Sequence, residues 1–192
     1  MLYDYIDQQT AAMCDITLGL STPPAGWSCS SLSSLCEWDG ITCNSGYVVT
    51  ISLYFTIVQG TLSTSIGQLT QLQNIFIQYS SLHGTIPTSI GMLTELTHFD
   101  CNYNSLSGTI PTQLGVLKQL SGFYLQGSFL TGSIPTELYT LTRLTSLNLG
   151  INRLNSSISS LIADLTNLQE LDFAHNLFTG FILLYCFILF NS

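Results

Sequence analysis

Few side chains in this 192-residue sequence are equipped for chemistry. Charged residues make up 7 % of it, and the only basic ones are Lys118, Arg143 and Arg153. His98 and Asp100 stand two apart, the spacing that puts both on one face of a strand. Glu170 and Asp172 repeat that spacing, with His175 close behind. A His–Asp pair works as a general base only when a nucleophile or a substrate proton lies within its reach. No G-x-S-x-G, H-E-x-x-H or G-x-x-x-x-G-K-[ST] segment occurs to supply one. Glu170, Asp172 and His175 offer at most a weak cation site, and the plainer reading is a solvated face. The expectation is a non-enzyme with no catalytic residue, no metal and no cofactor.

The elements that must position these residues repeat. Leu72, Leu96, Leu120, Leu144 and Leu168 lie 24 residues apart. Gly60, Gly84, Gly108, Gly132 and Gly180 keep the same step, with Ser156 filling the gap, and so do Ile86-Pro87, Ile110-Pro111 and Ile134-Pro135. Each unit reads L-x-x-L-x-L-x-x-N-x-L with small variations, most cleanly at Leu144, Leu147, Leu149, Asn152 and Leu154. The alternation in Leu147-Asn148-Leu149 predicts a short strand with one buried face. One such unit cannot bury its own apolar side, so units stack and pair their strands into a parallel sheet.

Asn104, Asn152 and Asn176 fall where the chain turns away from the strand, and a buried carboxamide there can both donate to and accept from turn backbone. Ser80, Ser128 and Thr56 replace it elsewhere, which predicts looser coils. In Leu106-Ser107-Gly108-Thr109-Ile110-Pro111 the glycine allows a bend and the proline stops further pairing. Thr112 to Leu117 then reads as a short helical turn. The predicted fold is an α/β solenoid, a right-handed superhelix of 24-residue repeats. It has a concave parallel β-sheet and short helical turns on the convex side. In that frame Asp100 and Asp172 are three coils apart, roughly 14 Å at ~4.8 Å per strand. Paired catalytic carboxylates sit at about 5–9.5 Å.

Residues 48–180, as five full repeats over 48–167 plus a partial sixth, resemble the plant-type leucine-rich repeats. These occur in receptor-like kinases, receptor-like proteins and polygalacturonase-inhibiting proteins. Residues 1–47 form a cap region whose motif spans 27–43. Within it Cys36-Glu37-Trp38-Asp39-Gly40-Ile41-Thr42-Cys43 resembles the family's C-x-W-x-G-[IV]-x-C, and Trp27 and Cys29 fit the stretch before it. Leu2, Tyr5, Ile6 and Met13 would line a cap helix. The resemblance implies a Cys36–Cys43 disulfide. Cys14 with Cys29 is a possible second pair, although four cysteines allow three connectivities. Cys101 takes an apolar strand position and reads as a buried thiol.

Cysteines crowded into the cap suggest an oxidising compartment. Met1 to Asp7 has neither the basic nor the apolar part of a signal peptide, so the beginning of the protein is expected to be missing. Residues 181–192 leave the repeat pattern as an apolar run, about half of the ~20 residues that a membrane helix needs. They read as a truncated span or, in preference, as sequence foreign to the mature protein. A net charge of −8 argues against nucleic acid and against an anionic membrane surface. Any membrane attachment would come through segments missing from this chain.

The outward strand positions form columns across the coils. One holds Ser52, Phe76, Asp100, Tyr124, Asn148 and Asp172, and the next holds Tyr54, Gln78, Asn102, Gln126, Gly150 and Ala174. A third holds Phe55, Tyr79, Tyr103, Gly127, Ile151 and His175. Aromatics beside amides are the composition of a recognition surface. The expected ligand-binding residues are Tyr54, Phe76, Gln78, Tyr79, Asp100, Asn102, Tyr103, Tyr124 and Gln126. The expected function is a non-catalytic recognition module, a fragment of an extracellular or cell-surface receptor-like protein. Its partner would be a peptide, a protein or an oligosaccharide. A secreted inhibitor of a cell-wall hydrolase and an intracellular protein-interaction scaffold are the alternatives. Asn155-Ser156-Ser157 is an N-glycosylation sequon that places Asn155 near a surface bend.

Overall fold

A computed structural model describes residues 2–29, 34–54 and 58–180, with side chains from Gln8 onward. Phe55, Thr56 and the apolar run 181–192 lie outside the described residues, as do the side chains of Leu2, Tyr5 and Ile6. The chain is a solenoid whose short strands alternate with single 3-10 turns.

The strands Asn74–Phe76, His98–Asp100, Gly122–Tyr124, Ser146–Asn148 and Glu170–Asp172 form coils two to six of one parallel sheet. The strand Tyr47–Ser52 opens that sheet as coil one and pairs antiparallel with Ile41–Asn44. The middle residue of each three-residue strand points inward. Ile75, Phe99, Phe123 and Leu147 are fully buried, and the rings of Phe99 and Phe123 stack at 5.8 Å. One 24-residue step thus moves each apolar side chain onto its equivalent, and the core is a set of ladders. Cys101 belongs to one of them: it is buried and unbonded, and burial pushes its thiol well up from the usual range.

The asparagines do the work their position predicts. Asn152 donates from Nδ2 to the carbonyls of Leu125 (2.7 Å), Leu149 (3.2 Å) and Gly150 (3.1 Å), and its Oδ1 accepts from the Leu130 N–H at 3.0 Å. Asn104 and Asn176 repeat the pattern, accepting from Leu82 and Leu154. Ser128 at the same position is buried, and its hydroxyl oxygen lacks a partner.

A second sheet, absent from the sequence reading, runs along the flank. Its strands are Gln59–Thr61, Ser81–Thr85, Ser105–Gly108, Phe129–Gly132, Arg153–Ser157 and Leu177–Thr179. Gly60, Gly84, Gly108 and Gly132 lie inside or at the end of these strands with positive φ, Gly180 follows the last strand, and Ser156 adopts φ 82° in the missing glycine's place. At Gly108 the missing Cβ also makes room, since it would stand 2.9 Å from the Thr85 methyl of the preceding coil. Pairing therefore stops at the proline, as read, but it occurs before that point. The turns Thr64–Gln68, Thr88–Met92, Thr112–Val116, Thr136–Thr140 and Ser160–Asp164 complete the convex side.

The N-terminal cap closes the open end of the core. A helix spans Leu2–Leu18, with Ala12 and Met13 fully buried. The side-chain oxygen of buried Gln9 accepts from the Val48 N–H at 2.9 Å. Cys14 is bonded to Cys29 and Cys36 to Cys43. The indoles of Trp27 and Trp38 lie 5.4 Å apart under the cap, with the Trp27 Nε1 donating to the Asp39 carbonyl at 2.8 Å.

Candidate functional site

The concave sheet presents two outward rows per strand, because residues on either side of the buried middle position share a face. Registers of Phe76 with Asp100 and of Asp100 with Tyr124 align one row. The other row was not among the expected site residues and runs Thr50, Asn74, His98, Gly122, Ser146, Glu170. Its signal in the sequence was the period of two, read backward from the first row.

The structure brings the aromatic residues together at the N-terminal half. Tyr54, 47 % exposed, stacks on Phe76 at 5.8 Å, and Phe76 lies 6.0 Å from the His98 ring. Tyr79 and Tyr103 stack at 4.7 Å with their planes 13° apart. They are 51 % and 37 % exposed. Neither tyrosine is a strand residue. The strands stop at Phe76 and Asp100, and the third column turns through the left-handed region: Tyr79, Tyr103, Ile151 and His175 have φ between 51° and 56°. That conformation is unusual for bulky side chains and holds only because the coil on each side fixes it. Gly127 fills the column next to Tyr103, and a Cβ there would meet the Tyr103 ring at 2.6 Å. Tyr79, Tyr103 and the Gly127 backbone make one continuous stack.

Asp100 departs from expectation. It is 7 % exposed rather than open to solvent, because its own neighbours close over it. One carboxylate oxygen accepts from the Asn102 N–H at 3.0 Å, and the other accepts from the Gln78 Nε2. Burial raises its pKa from the ordinary carboxyl value. The bonds from Asn102 and Gln78 and the nearby His98 pull the other way. Asp100 and Gln78 thus brace the sheet before they can meet any ligand. Asn102 is likewise committed in part, its Oδ1 accepting from the Gln126 N–H at 2.7 Å. Gln126 reaches the Asp172 carboxylate with its Nε2 at 3.1 Å. Tyr124 is half-buried, and its ring leans with that of His98 over Gly122.

Asp100 and Asp172 stand three strand steps apart, too far to act as one acid–base pair. Among the described residues no group of His, Cys, Asp and Glu could hold a metal, and no helix is long and apolar enough to cross a membrane. Asn155 is exposed in the flank strand Arg153–Ser157, next to the positive-φ backbone of Ser156.

The Leucine Rich Repeat family model matches residues 95–117 and 167–187. The receptor-like kinase TMK4 of Arabidopsis thaliana is 36 % identical over 38 % of this chain. PEPR1, solved with AtPEP1, superposes with a TM-score of 0.84 and 31 % identity over 90 % of this chain. This chain spans 7 % of TMK4 and 25 % of the PEPR1 chain. The BIR3–SERK2 complex from Arabidopsis thaliana gives a TM-score of 0.78 and 30 % identity, covering 90 % of this chain and 95 % of that one. A plant ice-binding protein gives a TM-score of 0.82 and 26 % identity, covering 92 % of this chain and 58 % of that one. Cap, 24-residue coils, paired sheets and these relatives agree: the chain belongs to the plant-type leucine-rich-repeat proteins, with the fold of their receptor ectodomains.

Proposed function

We propose that this chain is an extracellular recognition module that holds an extended peptide, or a protein segment, along the concave face of coils two to four. The observation that carries this reading is the stack of Tyr79 and Tyr103 on Gly127. Two exposed rings held rigid by the fold offer apolar area at little entropic cost, which is how aromatic anchors come to dominate interfaces. Three strands at ~4.8 Å plus side-chain reach give a track of about 15–20 Å, the length of five or six extended residues. The related structures of PEPR1 with AtPEP1 and of BIR3 with SERK2 support a partner-binding role. Two disulfides support action outside the cytosol, and a glycan on exposed Asn155 fits the same setting. A panel of immobilised hexapeptides tests the proposal. Binders should protect the amides of residues 76–79, 100–103 and 124–127 from hydrogen exchange. Protection confined to the convex turns would sink it.

A second reading is ice binding, suggested by the ice-binding relative and by one feature of the flank. Thr85, Thr109 and Ser133 precede the buried Ile-Pro pairs and Thr88, Thr112 and Thr136 follow them, all six exposed and uncharged. Ice-affinity partitioning should retain the wild type and release Thr109→Tyr/Thr112→Tyr. A wild type excluded from ice ends this reading.

A further inference from the structure

The convex turns form a stack of their own, and its last member lacks cover. Thr64–Gln68 buries Ile66, Thr88–Met92 buries Ile90, Thr112–Val116 buries Leu114 and Thr136–Thr140 buries Leu138. Each of these turns packs under the turn of the next coil. Ser160–Asp164 buries none of its five residues, although Ile162 stands one repeat after Leu138 and packs against the same core. The strands of that coil show the same opening. Leu147, Leu149 and Leu154 are fully buried, whereas Leu171, Phe173 and Phe178, one repeat on, are only partly so. Apolar surface left open at the end of a stack forfeits the stabilisation that burial gives every inner coil.

The chain itself runs toward that end. The last flank strand pairs in the register of the earlier ones, with Leu177 opposite Asn155 as Ser105 stands opposite His83. In sequence, residues 181–192 then keep the step at the inward positions. Ile182 falls 24 residues after Ile158, Cys186 after Ile162 and Leu189 after Leu165. One coil earlier the same positions are buried, at Ile134, Leu138 and Leu141. The departures from the repeat fall elsewhere. Leu183 takes the place of the proline, and Leu184 and Ile188 take outward positions held by Ser160 and Asp164 one repeat before. A proline is not required there, since Ser159 opens the preceding turn without one. The two Leucine Rich Repeat matches agree with this register: they begin at residues 95 and 167, three repeats apart, and the second continues through 187.

We infer that residues 181–192 are the end cover of this solenoid. They dock on the turn Ser160–Asp164, with Ile182 seated on Ile158, Cys186 on Ile162 and Leu189 on Leu165. Three apolar side chains in register bring the last turn to the burial of its predecessors. A segment tethered at Gly180 meets this face at high effective concentration, so it outcompetes a separate molecule for the same surface. The apolar run then belongs to the fold, which its outward positions alone argue against.

Cys186 reports the outcome, because Cys14, Cys29, Cys36 and Cys43 are bonded and Cys101 is buried. In the full chain a small thiol reagent should label Cys186 about tenfold more slowly, or slower still, than in the same chain unfolded by denaturant, as a locally protected site requires. Two double variants separate seated from outward positions while adding the same charge. Ile182→Asp/Leu189→Asp should restore fast labelling and speed hydrogen exchange over residues 160–168. Leu184→Asp/Ile188→Asp should label as the wild type does. Equal labelling of the folded and unfolded wild type overturns the inference, and so does the same labelling rate in both variants. Protection that is lost on dilution, together with a dimer in light scattering, assigns the cover to a second copy and overturns it as well.

Discussion

A buried carboxamide is stabilising in a coil only while every polar group it carries finds backbone. Asn152 meets that condition, so Asn152→Ala strips its bonds and leaves the Leu130 N–H buried without an acceptor. A loss of about 2–4 kcal/mol is expected, since each buried bond contributes ~1 kcal/mol and an orphaned group costs ~1–3 kcal/mol. Ser128 gives the converse: Ser128→Asn should raise the melting temperature, because its hydroxyl leaves the ladder position unfilled. An unchanged melt for both variants would show that the ladder contributes nothing. Asp100 adds a pH signature. Its raised pKa means the fold accommodates the acid better than the carboxylate. Its contribution is therefore complete below the ordinary carboxyl range and is lost as pH rises through the raised value. Asp100→Asn should melt closer to the wild type in acid and higher than it near neutrality. A parallel pH dependence of the two melting curves would contradict the burial argument. The asparagine roles were legible in the sequence because their spacing is periodic. The burial of Asp100 was not, because it depends on Gln78 reaching across from the neighbouring coil.

Strands and turns set where side chains can act, and here the sequence was informative in unequal measure. The concave strands followed from Leu147-Asn148-Leu149 and its equivalents, since alternation at a fixed step leaves no other register. The flank sheet did not. Its segments, such as Ser105–Gly108, carry one buried leucine amid Ser, Gly and Thr, which reads as loop until stacked coils supply the pairing partner. The third column was misplaced for a related reason. Tyr79 and Tyr103 look like strand residues by type, yet the coil turns there with positive φ. The stack makes a prediction at this scale. Gly127→Ala would put a Cβ against the Tyr103 ring at a positive φ, so the melting temperature should fall and ligand affinity should drop severalfold. Retained affinity would mean that Tyr103 need not be held in place. In the cap, Cys43→Ser opens the seven-residue separation from Cys36. A stability loss near the lower end of the usual 2–5 kcal/mol, about 2–3 kcal/mol, is expected because the closed loop is short. Equal melting curves with and without reductant would rule this out.

The described coils stack as one rack, and the proposed function depends on which side of the rack is used. Repetition makes every coil alike in the core and lets the outward positions vary freely, so the solenoid and its concave sheet were readable while the flank sheet and the partner were not. The concave surface of this chain takes its character from a few side chains, chiefly the tyrosine stack and the buried Asp100 brace. The convex turns offer the natural comparison, since Asp164 is exposed there and distant from every concave strand. The most direct measurement is the dissociation constant of a selected hexapeptide for wild type, Tyr103→Ala, Tyr124→Ala and Asp164→Ala, each checked for an unchanged melt. Losing an aromatic anchor typically costs 2 kcal/mol or more, at least a tenfold weakening. Both tyrosine variants should show that weakening and Asp164→Ala should bind as the wild type does. Affinity indifferent to both tyrosines but reduced by Asp164→Ala would contradict recognition on the concave face.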